Sequence, residues 1–288
     1  MSDALKSSFN HYYSQIWGER WPELYRALLG PGQLGARWNC FAGSRVLQRV
    51  EGARVLPGFV FLQDLRPERA ENGLLDFYIL DPASVFVAMA LQVKPGEKVL
   101  DMCAAPGGKT LVLAEALQGQ GELIANEISS ARRERLMKVI QQYLPREGRE
   151  FIRVTGKSGE KFGLQQAGEF DSVLVDAPCS GERHLLSDLS EFENWSPRRG
   201  EKLSVRQFSL LSSAWHALRP GGRLVYSTCS INPVENDEVV GRLISRRGAK
   251  AVEWNLPEKY GGEKTQWGWI FLPDRSGFGP IYFATMSK

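Results

Sequence analysis

The chain of 288 residues has few of the side chains that hold metals: three histidines and four cysteines. Cys40, Cys103, Cys179 and Cys229 form no C-x-x-C pair and lie near no paired histidines, which argues against both zinc and a disulfide framework. His11, His184 and His216 fit no triad spacing and read as structural or solvent-exposed. No apolar run reaches the length of a membrane span, and the first residues lack a signal-peptide core. Residues 1–17 also lack the arginines of a transit peptide. Charge of one sign is missing too: the formal net charge is +3, which permits an anionic partner without requiring one. The expectation is a cytoplasmic monomer that meets neither membrane nor metal. Its thiols stay free in a reducing compartment, for packing or for chemistry.

Hydrophobic residues at 43% and charged residues at 24% describe an ordinary globular chain, large enough for one substantial domain with a smaller one. Its centre is the stretch from Lys98 to Leu117. A short apolar run ends at Asp101, turns on Ala104-Ala105-Pro106-Gly107-Gly108, and restarts with helical periodicity after Lys109. A strand turning on small residues into a helix opens a doubly wound α/β domain, whose ligands bind beyond the carboxyl ends of the strands. This loop is neither G-x-x-x-x-G-K-[ST] nor G-x-G-x-x-G, so a nucleoside without a phosphate chain, S-adenosylmethionine first among them, fits better than a nucleotide.

Residues 1–75 read as an N-terminal extension: amphipathic helix around Phe9, Tyr13, Trp17, Trp21 and Leu28, a break at Gly30-Pro31-Gly32, then short strand pieces from Val46 to Leu75. Residues 76–288 read as the main domain. Asp81 caps a helix that begins at Pro82. Four more strands follow the first, at Glu122–Glu127, Phe151–Thr155, Asp171–Asp176 and Arg223–Cys229, with helices between them, and strands near Val252 and at Ile281–Ala284 complete the sheet. A mostly parallel sheet with helices on both faces results. Glu182–Gly200 reads as a long polar insertion, and Pro233–Ser245 as a helix capped by Asn232.

The second strand ends in Glu127, where such folds place a carboxylate for ribose hydroxyls. Arg132, Arg133, Arg135 and Lys138 form a basic helix face, by itself weak support for RNA. Strands one, four and five flank the topological switch, so Asp176, Cys179 and Cys229 converge on a pocket beside Pro106–Lys109, with the Lys109 charge aimed into it. A lone cysteine at a strand end is more often core filling than a nucleophile. Two of them, as Pro178-Cys179 and Thr228-Cys229, suit thiolate addition to pyrimidine C6, a carboxyl group near N3, and removal of the C5 proton after methyl transfer.

Asp101–Thr110, Asp176-Ala177-Pro178-Cys179-Ser180, Tyr226-Ser227-Thr228-Cys229-Ser230 and Asn232-Pro233-Val234-Glu235-Asn236 together resemble the Sun/Fmu (RsmB-like) family of S-adenosylmethionine-dependent RNA 5-methylcytosine methyltransferases. The resemblance runs from Asp76 to the C-terminus. Tyr78–Ser84 and Phe278–Phe283 bring it closest to the short members related to the mitochondrial ribosomal-RNA enzyme. It implies a Rossmann-like class I methyltransferase fold and an RNA substrate, ribosomal RNA in preference to transfer RNA. It implies Cys229 as nucleophile, Cys179 for product release, Asp176 at the target cytosine and Lys109 in support. For the cofactor it points to Cys103, Ala104, Ala105, Pro106, Gly107, Gly108 and Lys109, to Glu127, Arg132 and Asp176, and to Ser158-Gly159. The family usually has an aspartate where Ser158 stands, so the adenine contact loses its charge. The competing readings are an RNA-binding ribosome-assembly factor without catalysis and a DNA cytosine methyltransferase. Intact Cys179, Cys229 and Asp176 argue against the first, and the second cysteine against the other.

Overall fold

The computed structural model describes residues 3–43, 54–56, 59–61 and 66–288. Seven strands define the sheet that carries the site: β1 Lys98–Asp101, β2 Glu122–Asn126, β3 Ile152–Thr155, β4 Phe170–Asp176, β5 Leu218–Thr228, β6 Trp269–Phe271 and β7 Ile281–Ser287. From one edge the order is Gly262–Lys264, β6, β7, β5, β4, β1, β2, β3, and Lys250–Ala251 also pairs with β7. The pairs β5–β4, β4–β1, β1–β2 and β2–β3 are parallel, whereas β7 runs antiparallel to β5. The chain winds outward from β1 through β2 to β3, then returns to the other side of β1 as β4. The crevice of a doubly wound sheet therefore opens between the ends of β1 and β4. The fold is the Rossmann-like methyltransferase arrangement expected, with the order extended at one edge by antiparallel strands.

Both faces of the sheet are covered, so its central strands are apolar throughout rather than alternating. Val173, Leu174 and Val175 are all 0% exposed. Leu100, Val173, Val175, Leu224 and Tyr226 point to one core, Val99, Leu123, Leu174 and Val225 to the other, as the period of two requires. The second core is closed by α3 Pro82–Ala90, α4 Gly108–Leu117 and α5 Ser130–Tyr143. The first is closed by α6 Pro197–Ala217, α7 Asp237–Arg247 and two N-terminal helices, α1 Asp3–Trp17 and α2 Trp21–Leu29. Among the described residues no helix is long and apolar enough to cross a membrane.

Some local expectations change. Asp81 caps α3 as its sequence implies, accepting the Ala83 N–H at 2.8 Å. Glu182–Gly200, however, is not a polar loop: it folds as two short helices, Glu182–Ser187 and Leu189–Phe192, followed by the first residues of α6. Phe192 and Trp195 drive this by burying against α1, their rings 5.2 and 4.9 Å from Phe9, and Leu185 is buried in the same core. The expected helix Pro233–Ser245 is interrupted. A single turn, Pro233–Glu235, precedes Asn236 at φ −110° and ψ −103°, and α7 starts only at Asp237. Asn236 is drawn out of helical geometry by its side chain, which accepts from Thr228 Oγ1 at 2.6 Å and donates to the Ser230 carbonyl at 2.9 Å.

The N-terminal helices share the core of the main sheet, and a small antiparallel sheet straddles residue 75, with Gly35–Trp38 pairing Phe77–Leu80. Its strands Arg54–Leu56 and Phe59–Phe61 account for part of the expected strand pieces; residues 46–53, 57–58 and 62–65 lie outside the described residues. Removing a fully buried aromatic ring from this core has a known scale. Phe9→Ala should cost about 3–5 kcal/mol in urea unfolding. A loss below about 1 kcal/mol would show that α1 is not integral to the core.

Candidate active site

The loop after β1 is held from two sides. The Met102 N–H donates to the Leu174 carbonyl and the Ala104 N–H to the Asn126 carbonyl, at 2.9 and 2.8 Å. Gly107 has φ +122°, and a Cβ there would sit 2.9 Å from Val139 Cγ1 of α5. A Cβ on Gly108 would meet the Tyr78 ring at 2.9 Å. The glycines thus let the chain pass between α5 and Tyr78 and present the N-terminus of α4 to a ligand. Thr110 Oγ1 donates to Asp101 Oδ2 at 2.7 Å, while the buried Asp101 Oδ1 has no hydrogen-bond partner. Burial pushes the Asp101 carboxyl up to about 7.

Glu127 closes the next side. Its Oε1 accepts the Ser129 N–H at 2.9 Å. Its Oε2 is buried without a hydrogen bond, 3.3 Å from Arg132 Nη1. Arg132 also donates to the Ala105 carbonyl at 2.8 Å, so it ties the β1 loop to the end of β2 rather than standing free on the basic face. Arg133 likewise turns back, donating to the Glu127 carbonyl at 2.8 Å. Met102, Cys103, Glu127, Ile128, Arg132 and Leu210 line a cleft of about 200 Å³ here. An orphaned carboxylate oxygen beside apolar walls fits a nucleoside, whose ribose hydroxyls would complete Glu127.

Gly159 lies in the same cleft, where a Cβ would strike Leu210 and Met102 at 2.6 and 3.1 Å. The Ser158 hydroxyl is engaged: it donates to Glu160 Oε2 at 2.6 Å, and that bond holds Glu160 below the usual carboxylate range. A carboxylate thus stands two residues on, its other oxygen 3.3 Å from Arg206 Nε. Cys103 separates this cleft from a second one of similar size, lined by Tyr78, Ser84, Pro106, Lys109 and Asp176. Burial pushes the Cys103 thiol well up, so it stays neutral.

The four residues expected at the β1, β4 and β5 ends do come together. Lys109 Nζ lies 2.8 Å from Asp176 Oδ2 and 3.3 Å from Ser84 Oγ, and Ser227 Oγ donates to Asp176 Oδ1 at 2.7 Å. Burial alone would lower the Lys109 pKa, but Asp176 outweighs it and the net direction is upward, so the ammonium keeps its proton. Cys179 Sγ and Cys229 Sγ are 3.0 Å apart, and the Cys229 N–H donates to Cys179 Sγ at 3.2 Å. Cys179 is half-buried and Cys229 exposed. The hydrogen bond with Cys229, reinforced by burial, raises the Cys179 thiol well above its ordinary value.

Cys229 opens onto a further cavity of about 420 Å³, whose walls include Leu34, Asp81, Arg183, His184 and Pro280. Arg183 is fixed there by the Ala27 and Gly279 carbonyls. Sequence reasoning passed over this wall, because Leu34 and His184 come from segments read as a cap and an insertion. It also passed over Asp101, Ser84 and Ser227, which carry no signal apart from their places in the motifs. Among the described residues no group of three metal-ligating side chains occurs.

The Glu127 geometry is testable. Glu127→Ala should weaken S-adenosylmethionine binding by about one to two decades, the loss of charge-assisted hydrogen bonds of about 1.5–3 kcal/mol, read by titration calorimetry. An unchanged dissociation constant would remove Glu127 from the cleft's function.

The family model described as 16S rRNA methyltransferase RsmB/F matches residues 88–287. The bovine 5-cytosine rRNA methyltransferase NSUN4 is 31% identical over 98% of this chain and 88% of its own length. The mouse mitochondrial tRNA (cytosine(34)-C(5))-methyltransferase is 39% identical over 99% of this chain and 90% of its own. A methyltransferase homolog protein from Pyrococcus horikoshii superposes with a TM-score of 0.79 at 25% identity, covering both chains completely. The family model covers most of the chain and these relatives match nearly all of it: the chain belongs to the RsmB/F family and is an S-adenosylmethionine-dependent RNA (cytosine-5) methyltransferase.

Proposed function

We propose that the chain methylates a cytosine of ribosomal RNA through a covalent adduct between Cys229 and C6 of the base, with Cys179 releasing the product. The observation that carries this reading is the thiol pair itself: two sulfurs 3.0 Å apart, one open to a cavity and the other set behind it. The thiolate is the form of Cys229 that attacks, and the Cys179 thiol, 3.0 Å away, can donate a hydrogen bond to it. The thiolate adds to C6, and the C5=C6 electrons move toward C5 and N3. Asp176, fixed by Ser227 and Lys109, meets the N3 edge, where the Lys109 ammonium offsets the developing charge. S-adenosylmethionine supplies an electrophilic methyl group, which Gly107–Lys109, Glu127 and Arg132 would hold in reach of C5. Once Cys229 is a thioether the first of the causes that raise Cys179 is weakened, although burial and the two glutamates still oppose its ionisation. Cys179 can then ionise to solvent and take the C5 proton, as the C5=C6 bond re-forms and Cys229 leaves as thiolate.

Ribosomal RNA is favoured by the family description and by the bovine relative. Transfer RNA is the second reading, favoured by the mouse relative's equally complete coverage. Bisulfite sequencing of RNA from cells lacking the gene separates them, since the vanished 5-methylcytosine lies in one RNA or the other. A monomer in a reducing, cytoplasmic compartment suits two unpaired thiols this close together. Residues 1–75 serve as a cap that also supplies part of the Cys229 cavity wall.

The two thiols separate by trapping. Cys179→Ala should accumulate a protein–RNA species that survives denaturing gels and requires S-adenosylmethionine. Cys229→Ala and the double variant should give none. An adduct in Cys229→Ala but not in Cys179→Ala would exchange the roles, and adducts in neither would favour an RNA-binding factor without catalysis.

A further inference from the structure

Beneath the two thiols lie two carboxylates that the chemistry above does not use. Glu182 and Glu235 are both 0% exposed. Among the described residues neither forms an ion pair with a lysine or arginine; their partners are hydroxyls, amides and each other's neighbours. Both converge on the residue after Cys229. Ser230 Oγ lies 3.0 Å from Glu182 Oε1 and 3.0 Å from Glu235 Oε1, and it accepts the Asn232 N–H at 3.1 Å. A hydroxyl has one proton to give. It can donate to one of these oxygens, and the other must bring a proton of its own or face a lone pair. The remaining positions are filled. Tyr13 donates to Glu182 Oε1 at 2.6 Å and the Ile231 N–H to Oε2 at 3.0 Å. The Ser180 N–H and Gln207 Nε2 donate to Glu235 Oε2 at 3.0 and 2.8 Å, and the Ser180 hydroxyl pairs with Glu235 Oε1. Two like charges in a buried site, with no lysine or arginine paired to them among the described residues, favour keeping one proton.

We propose that Glu182 and Glu235 share a single proton through Ser230 and act as positioning residues that hold the Cys179 and Cys229 turns against each other. Glu235 grips Ser180, next to Cys179, and both carboxyls grip Ser230, next to Cys229, so the tie spans the pair of thiols. The inference rests on the thiol assignment made under the proposed function. The titratable groups facing the pair are Tyr12 and Tyr13 from α1, Tyr226 from β5, and the two cysteines, with Glu201 of α6 behind Tyr12. Burial raises all three tyrosines, which remain neutral. Burial, and then Glu235, pushes Glu182 up to about 7 from an ordinary 4.5. A raised carboxyl stabilises the fold fully below its unfolded value, and that contribution is lost as pH rises through about 7. Losing the proton also adds negative charge beside Cys179, whose thiol both carboxylates already push up.

The test uses the full chain without RNA. The infrared difference between wild type and Glu182→Gln at pH 6 should contain the carbonyl band of a protonated carboxyl, shifted in D₂O and gone once the pH passes about 7. Glu235→Gln should remove the same band, which guards against one variant failing to fold. Asp101, also raised to about 7, is common to all the proteins and cancels. The wild-type melting temperature should fall relative to Glu182→Gln over the same pH range. In methyl transfer, Glu182→Gln should have a higher ratio of kcat at pH 8 to kcat at pH 6 than wild type, with the cofactor KM unmoved. Glu182→Ala, which lacks the bridge, should lose more kcat than Glu182→Gln. Absence of the band together with parallel melting curves would overturn the shared proton. Full activity in Cys229→Ala would instead sink the thiol assignment, and the band and melting data would still decide the proton.

Discussion

The meeting of the two thiols depends on one buried carboxylate. Glu235 takes hydrogen bonds from the Ser180 amide, the Ser180 hydroxyl and Gln207, and reaches Ser230 on the other turn. Hydrogen bonds to a charged or proton-sharing carboxyl are worth about 1.5–3 kcal/mol each in a buried site, and far more is lost when one partner is removed than is gained when both are present. Gln207 adds the α6 helix to the same point, since its Nε2 also donates to the Pro178 carbonyl at 2.9 Å. Tyr226 closes it from below by donating to the Glu235 carbonyl at 2.6 Å. The break at Asn236 belongs to this arrangement, because a continuous helix from Pro233 would forgo the Asn236 bonds to Thr228 and Ser230.

Sheet register does the rest. In the parallel β4–β5 pair, Asp176 stands opposite Ser227, and their side chains bond at 2.7 Å at the last rung. The Ala177 N–H then donates to the Ser227 carbonyl at 2.8 Å. The two chains leave the sheet side by side, with Cys179 three residues past one member of that rung and Cys229 two past the other. A slip of one residue would turn every side chain of β5 to the opposite core. Leu224 and Tyr226 in one core and Val225 in the other make that slip costly, so the distance between the sulfurs is set by apolar burial far from them.

Much of this was legible in the sequence because special geometry needs special residues. The turn at Pro106-Gly107-Gly108, the Asp81-Pro82 helix start and the apolar runs of β1, β4 and β5 each have a local cause, and their order implies the crevice between β1 and β4. The Pro-Cys and Thr-Cys pairs could be placed at strand ends by counting. What was hidden depends on distant partners. Glu182 looks like one more polar residue opening an insertion; Tyr13, 169 positions away, and the Ser230–Ile231 turn make it a buried acid. Phe192 and Trp195 are too few to suggest helix by periodicity, and they become core only because α1 lies over them. Ser158 read as a lost charge, and Glu160 at 2.6 Å from its hydroxyl is invisible without the fold.

Acids and cations stand close together around the two clefts that the proposed function gives to the methyl donor. Asp101, Glu127 and Asp176 line the clefts around Cys103 and Lys109, and Lys109, Arg132 and Arg206 bring positive charge to the same walls, paired with Asp176, Glu127 and Glu160 respectively. Asp101 Oδ1 and Glu127 Oε2 are left without hydrogen bonds. On the proposed assignment a sulfonium, which carries positive charge, is favoured beside these acids, and the neutral thioether left after transfer is not. Burial first, and then the same acids, raise the Cys103 thiol, which keeps a third sulfur of this region from ionising. Asp101 is raised by burial to about 7, so it is the acid that can change its own charge at neutral pH, and the Thr110 bond at 2.7 Å holds it in place in either state.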